Sequence, residues 1–137
     1  MQLFLGEYQP NITEGFRLAL PKKMRDQIRG EEIVLSRGFE KCISIYDKEE
    51  WVKVYEKESA GGSITDLRSR DIKRYMFGLA IETTIDSQGR VVLPATLRDY
   101  AELNKETTIV GAGDHIEVWD KVNWEKHLEF IASRLTS

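Results

Sequence analysis

Two arginines, Arg17 and Arg90, each follow a turn sequence and precede a short apolar run closed by proline: TEGFRLALP at 13–21 and DSQGRVVLP at 86–94. Neither has a catalytic partner in its own segment. A planar, permanently charged guanidinium fork suits phosphate oxygens and the guanine edge of a major groove. A turn tip can enter such a groove, and Lys22, Lys23, Arg25 and Arg98, which follow the two prolines, can grip flanking phosphates. Thr13 and Asp86 open the two turns, where a side-chain oxygen can bond the backbone of the turn, the hydroxyl more weakly than the carboxylate. The candidate chemistry is therefore recognition of double-stranded DNA.

Other chemistries lack their residues. Cys42 is the single cysteine, and His115 and His127 lie in the other half of the chain without metal-ligand spacing. GAGDHI at 111–116 lacks a third glycine and does not open a helix, which argues against a nucleotide loop. No serine occupies a nucleophile elbow. The expectation is a protein that is not an enzyme, with no metal, no cofactor and no small-molecule substrate.

At 137 residues the chain is one domain or two small fused halves, long enough to bury a core. With 41% hydrophobic and 31% charged residues it falls in the globular class, not the disordered or membrane one. One cysteine suggests a reducing compartment, and MQLFLGEYQP lacks the pattern of a secretory leader. No apolar run reaches the ~20 residues of a membrane span, so a cytoplasmic location is expected. The net charge of −3 counts against simple nucleic-acid binding. Its distribution counts the other way: residues 12–29 carry five basic side chains against two acidic ones, residues 102–137 four against seven.

The arginines belong to a repeat. Slid by 73 residues, FRLALPKKMRDQI (16–28) falls on GRVVLPATLRDYA (89–101), and RGFEKCISIYDKEEW (37–51) falls on VGAGDHIEVWDKVNW (110–124). That register, read without a gap, pairs Gly38 with Gly111, Ile43 with Ile116, Asp47 with Asp120 and Trp51 with Trp124. The chain divides into two copies at 1–58 and 81–137, joined by 59–80. Each copy reads as a strand, a turn, a short strand, a proline-led short helix with one buried face (Met24 and Ile28; Leu97 and Ala101), two strands and a closing helix capped by Asp47 or Asp120. Asp47 with Glu50 resembles a capping box, and Trp124, Leu128, Ile131 and Leu135 form a helical apolar stripe. The joint opens on AGGS, a flexible composition, and turns helical from about Thr65 or Asp66.

Neither copy has strands enough for a core of its own. The expected architecture is α+β: two tandem, pseudo-twofold-related swapped-hairpin half-units interleaved into one β-barrel and flanked by helices. Arg17 and Arg90 then share one rim.

The duplicated turn with its apolar strand and proline, together with GFEKC and HIEVWD, resembles the MraZ family of bacterial transcription regulators, over nearly the whole chain from FLGEY to the closing helix. The resemblance implies an AbrB-like swapped-hairpin barrel, a ring-shaped homo-oligomer, and binding to repeated operator boxes upstream of the division and cell-wall gene cluster, usually as a repressor at the nucleoid. It implies Arg90 as a DNA-facing residue with Asp86 in its turn. The first copy departs from the family pattern, with Thr13 in place of Asp and Glu14-Gly15-Phe16 before Arg17. A ring would also reconcile an acidic chain with DNA, since several basic rims on successive repeats multiply affinity. The alternative is an antitoxin-like protein-binding module of the same barrel fold.

Overall fold

The computed structural model describes residues 2–60 and 64–136. Along the chain run β1 (Glu7–Tyr8), β2 (Arg17–Ala19), α1 (Lys22–Arg25), β3 (Glu32–Arg37), β4 (Ile43–Asp47), α2 (Lys48–Ala60), α3 (Leu67–Gly78), β5 (Ile81–Thr84), β6 (Arg90–Val92), α4 (Ala95–Tyr100), β7 (Thr107–Gly111), β8 (Ile116–Asp120) and α5 (Lys121–Thr136). Asp66 caps α3, accepting from the Arg68 amide. Gly61, Gly62 and Ser63, on which the flexible-joint expectation falls, lie outside the described residues.

Six strands form one antiparallel sheet in the order β1-β7-β8-β4-β3-β5, and β2 pairs with β6 in a separate two-stranded ribbon. Exchanging the halves maps β1 on β5, β7 on β3 and β8 on β4, so the order reads the same from either edge. A pseudo-twofold therefore passes between β4 and β8. Each half lends its first strand to the other: β1 pairs with β7 and β5 with β3. The fold is thus mixed α+β, built from two repeated units. The sheet ends at β1 and β5, and among the described residues no ladder closes it into a barrel.

Period-two alternation places the core. Ile33, Leu35, Ile43, Ile45, Ile109, Ile116 and Val118 point to one face, where Leu18, Leu20, Val91 and Leu93 of the ribbon and Met24 and Leu97 of the short helices pack on them. Pro21 and Pro94 stand at the N-cap, one position before the first helical residue where they were expected. Each proline carbonyl opens its helix by accepting from the Arg25 or Arg98 amide.

Two further sequence readings need correction. Arg37 stands opposite Ile43 in the first hairpin and Gly111 opposite Ile116 in the second, so Gly111 is the counterpart of Arg37, not of Gly38. The second hairpin turn is one residue shorter, and an extra residue before β7 compensates, which is why the alignment looks free of gaps. The capping box is also half made. Asp47 Oδ1 accepts from the Glu50 amide at 2.8 Å, but the Glu50 carboxylate turns to Arg29 at 3.4 Å. Asp120 caps α5 in the same way through the Asn123 amide at 3.1 Å.

At the seam between halves, His115 stacks on Tyr46, centroids 5.0 Å apart. Its Nδ1 meets Asp114 at 2.8 Å and its Nε2 meets Glu117 at 2.9 Å. Burial opposes protonation of this imidazole, but the two carboxylates outweigh it and raise its pKa above 6.5. A group with a raised folded pKa stabilises fully below its unfolded pKa, and that contribution disappears as pH climbs through the folded value. Chemical denaturation followed against pH is therefore expected to show stability falling above pH 6.5, and the fall to be absent in His115→Gln. Equal slopes in the two proteins would remove this role.

Candidate nucleic-acid interface

The ribbon register sets Arg17 opposite Val92, Leu18 opposite Val91 and Ala19 opposite Arg90. Opposed residues share a face, so Leu18 and Val91 go into the core while Arg17, Ala19, Arg90 and Val92 line the outer side. The two arginines are diagonal neighbours across one solvent-facing surface. Two further bonds extend the pairing at either end, Leu20 amide to Gly89 carbonyl at 3.0 Å and Leu93 amide to Phe16 carbonyl at 2.9 Å.

The two turns reach one geometry by different chemistry. In the second, Asp86 Oδ1 accepts from the amides of Gln88 (2.8 Å) and Arg90 (2.9 Å), and its Oδ2 accepts from Arg90 Nε at 3.2 Å. Those bonds, the Arg90 amide foremost, hold the Asp86 carboxyl below the usual range against a smaller opposing effect of burial. In the first, Thr13 exchanges backbone bonds with Arg17 at 2.8 and 3.3 Å, and its hydroxyl donates to the Arg17 carbonyl at 3.2 Å. Arg17 itself donates to the Glu14 carbonyl at 3.2 Å. Arg90 is tethered through Nε alone, so its two terminal nitrogens have no hydrogen-bond partner among the described residues.

Arg25 and Arg98 are equivalent in a way their sequence does not disclose. Their Nε atoms donate to the carbonyls of Leu20 (3.0 Å) and Leu93 (2.9 Å), the residues before the two prolines. Each then crosses to the turn of the other half. Arg98 lies over the Phe16 ring, 3.5 Å from its centroid. Arg25 lies over Gly89, the repeat partner of Phe16, where an added Cβ would stand 2.6 Å from the guanidinium. Like Arg90, each is bonded through Nε alone, so its terminal nitrogens have no hydrogen-bond partner among the described residues. Lys22 and Lys23 are exposed on α1, Lys22 paired with Asp26 at 2.9 Å. Ala95 and Thr96 occupy their places on α4, so the lysine charge is confined to one side.

Among the described residues there is no group of His, Cys, Asp and Glu able to hold a metal, and no helix long and apolar enough to cross a membrane. A family model described as "MraZ protein, putative antitoxin-like" matches twice, at residues 3–75 and 76–136. The chain belongs to the MraZ family. It is 42% identical over 127 residues to the transcriptional regulator MraZ of Cutibacterium acnes, covering 93% of this chain and 88% of that protein. To the MraZ regulators of Dictyoglomus thermophilum and Heliobacterium modesticaldum it is 41% identical over 124 residues and 39% over 130, covering 90% and 95% of this chain and 84% and 90% of theirs. MraZ relatives carry the name of a transcriptional regulator, not of an enzyme.

Sequence reasoning passes over Ala19 and Val92, which flank the arginines on the outer face, and reads Phe16 as a departure from the family pattern without seeing that Phe16 and Gly89 are where Arg98 and Arg25 rest. Alternation within β2 and β6 was the available signal for the first pair. For the second, the signal was glycine at 89. Both residues have positive φ, 58° at Phe16 and 77° at Gly89, a backbone region that glycine enters without penalty and a bulky residue enters at about 1–2 kcal/mol. Gly89→Ala is expected to lower unfolding free energy by about 1–2 kcal/mol through that conformation alone, and to displace Arg25 as well. Denaturant titration measures the first effect; an unchanged midpoint would show that the turn tolerates a side chain there.

Proposed function

We propose that this chain is a sequence-specific DNA-binding transcriptional regulator that represses the division and cell-wall gene cluster from repeated promoter boxes. One observation carries the reading: Arg17 and Arg90, one from each repeat, share the outer face of the ribbon with no core contact to absorb them. On this reading the ribbon enters the major groove. The arginine forks address guanine edges or phosphates, and Ala19 and Val92 lie where a thymine methyl can be met. Lys22, Lys23, Arg25 and Arg98 hold flanking phosphates, and the two arginines also keep the turns at a fixed spacing.

The working unit is a ring-shaped homo-oligomer in the cytoplasm, at the nucleoid. A single chain of net charge −3 gains little from counterion release, whereas several rims on one stretch of DNA gain affinity through effective concentration. The halves at 1–58 and 81–137, joined by 59–80, form one interleaved barrel, its sheet closed over by the ribbon. The antitoxin-like wording of the family description favours a second reading, a protein-binding module. Copurification of a stoichiometric partner protein, with no binding to operator DNA, would select it.

Gel shift on the DNA preceding the gene, with native mass measured in parallel, separates these readings. Arg90→Ala is expected to weaken binding by about 1–3 kcal/mol, roughly 5- to 150-fold, and to leave the mass unchanged. Lys23→Ala is expected to weaken all sequences alike and reduce the logarithmic salt slope by about one. Undiminished operator binding by Arg90→Ala would overturn the assignment.

A further inference from the structure

Helix α5 outruns the sheet it packs on. Its apolar stripe begins at Trp124, 8% exposed, and continues through Leu128 at 41% and half-buried Ile131 to Leu135 at 80%. The first half shows how such a stripe is covered. There α2 is the counterpart of α5, and Trp51 and Tyr55 hold the positions of Trp124 and Leu128. Phe77 of α3 packs on both, centroids 5.3 and 5.4 Å away. No helix among the described residues covers α5 as α3 covers α2.

An unfilled groove lies on the other side of the β3–β4 turn, whose Glu40 and Lys41 face α5. The outer side of α3 and the β3–β4 turn enclose about 550 Å³ lined by Phe39, Leu67, Arg68, Asp71, Ile72 and Tyr75. Phe39 and Leu67 are 68% and 60% exposed, and Phe39 is held in place by stacking on Tyr75 at 5.6 Å. The charges are complementary along one edge, although α5 as a whole carries Lys121, Lys126 and Arg134 besides its two glutamates. Helix α3 carries Arg68, Arg70, Lys73 and Arg74 against Asp71 alone, and the Arg68 guanidinium has no partner among the described residues. Glu125 and Glu129 lie along one edge of the α5 stripe, likewise without an ion pair among the described residues.

We infer that the exposed end of the α5 stripe, Leu128, Ile131 and Leu135, seats in the α3 groove of a second copy of this chain, with Glu125 and Glu129 beside Arg68. The occupant is a second copy because one chain presents both complementary faces. An antiparallel twofold α5–α5 contact is disfavoured, since it would set the Glu125 and Glu129 edge against its own duplicate. A contact between unlike faces leaves each copy with one face open, so it propagates and closes only when the rotation between neighbours allows. This inference rests on the proposed homo-oligomer and names the surfaces that build it.

The test uses two double variants of the full chain, Leu128→Glu with Leu135→Glu on one face and Phe39→Glu with Leu67→Glu on the other. All four positions are exposed, so circular dichroism and melting are expected to match the wild type. Native mass is expected to show a multi-chain wild type, each variant alone at the single-chain value of 15.8 kDa, and their equimolar mixture at twice that value. The mixture forms a pair and stops there, because each variant keeps one intact face. A variant that retains the wild-type mass, or a mixture that stays at the single-chain value, overturns the pairing of these faces. A wild type of single-chain mass overturns it too and takes the homo-oligomer with it, while leaving the Arg90 gel shift to judge DNA binding on its own.

Discussion

The antiparallel pairing of Arg17–Ala19 with Arg90–Val92 is the contact on which the interface depends. Its strands come from different repeats, so neither half can build it alone. Burial of Leu18 and Val91, each worth about 1.5–3 kcal/mol, selects the register. A slip of one residue would drive the arginines into the core and the apolar pair into water. The two guanidinium groups are therefore placed outward by hydrophobic register, and their own bonds only refine the aim.

Around this ribbon the repeats have diverged while keeping one geometry. A carboxylate with two backbone amides holds the second turn, and a threonine with a backbone pair holds the first. Gly89 takes its left-handed conformation without strain. Phe16 takes the same conformation under strain and meets the Arg98 guanidinium in return, a contact worth about 0.5–1 kcal/mol at an exposed site. With lysines on α1 and none on α4, the two sides of the outer face differ in charge and in stiffness. A duplex lying across it would meet an asymmetric reader despite the internal pseudo-twofold.

Much of this is legible in the sequence. The 73-residue offset marks two repeated units, and the alternation in β4 and β8 with the helix caps at Asp47 and Asp120 follows from local pattern alone. The one-residue shift between hairpins was not legible, because a shorter turn and a longer approach to β7 cancel in an alignment and separate only in the ladders. Arg25 and Arg98 were readable as basic but not as braces. Their partners are carbonyls and a turn in the other half, and backbone carbonyls leave no mark in sequence. The half-made capping box at Glu50 has the same origin, since Arg29 reaches that carboxylate only after the chain has folded.

The account's central claim is that the outer face of the ribbon meets the duplex. Amide hydrogen exchange with and without the DNA preceding the gene tests it most directly. The account calls for added protection in peptides spanning 13–20 and 86–94, with α3 and α5 unchanged on adding DNA to the assembled protein. Protection elsewhere, with both turn segments exchanging as freely as in the absence of DNA, would contradict it.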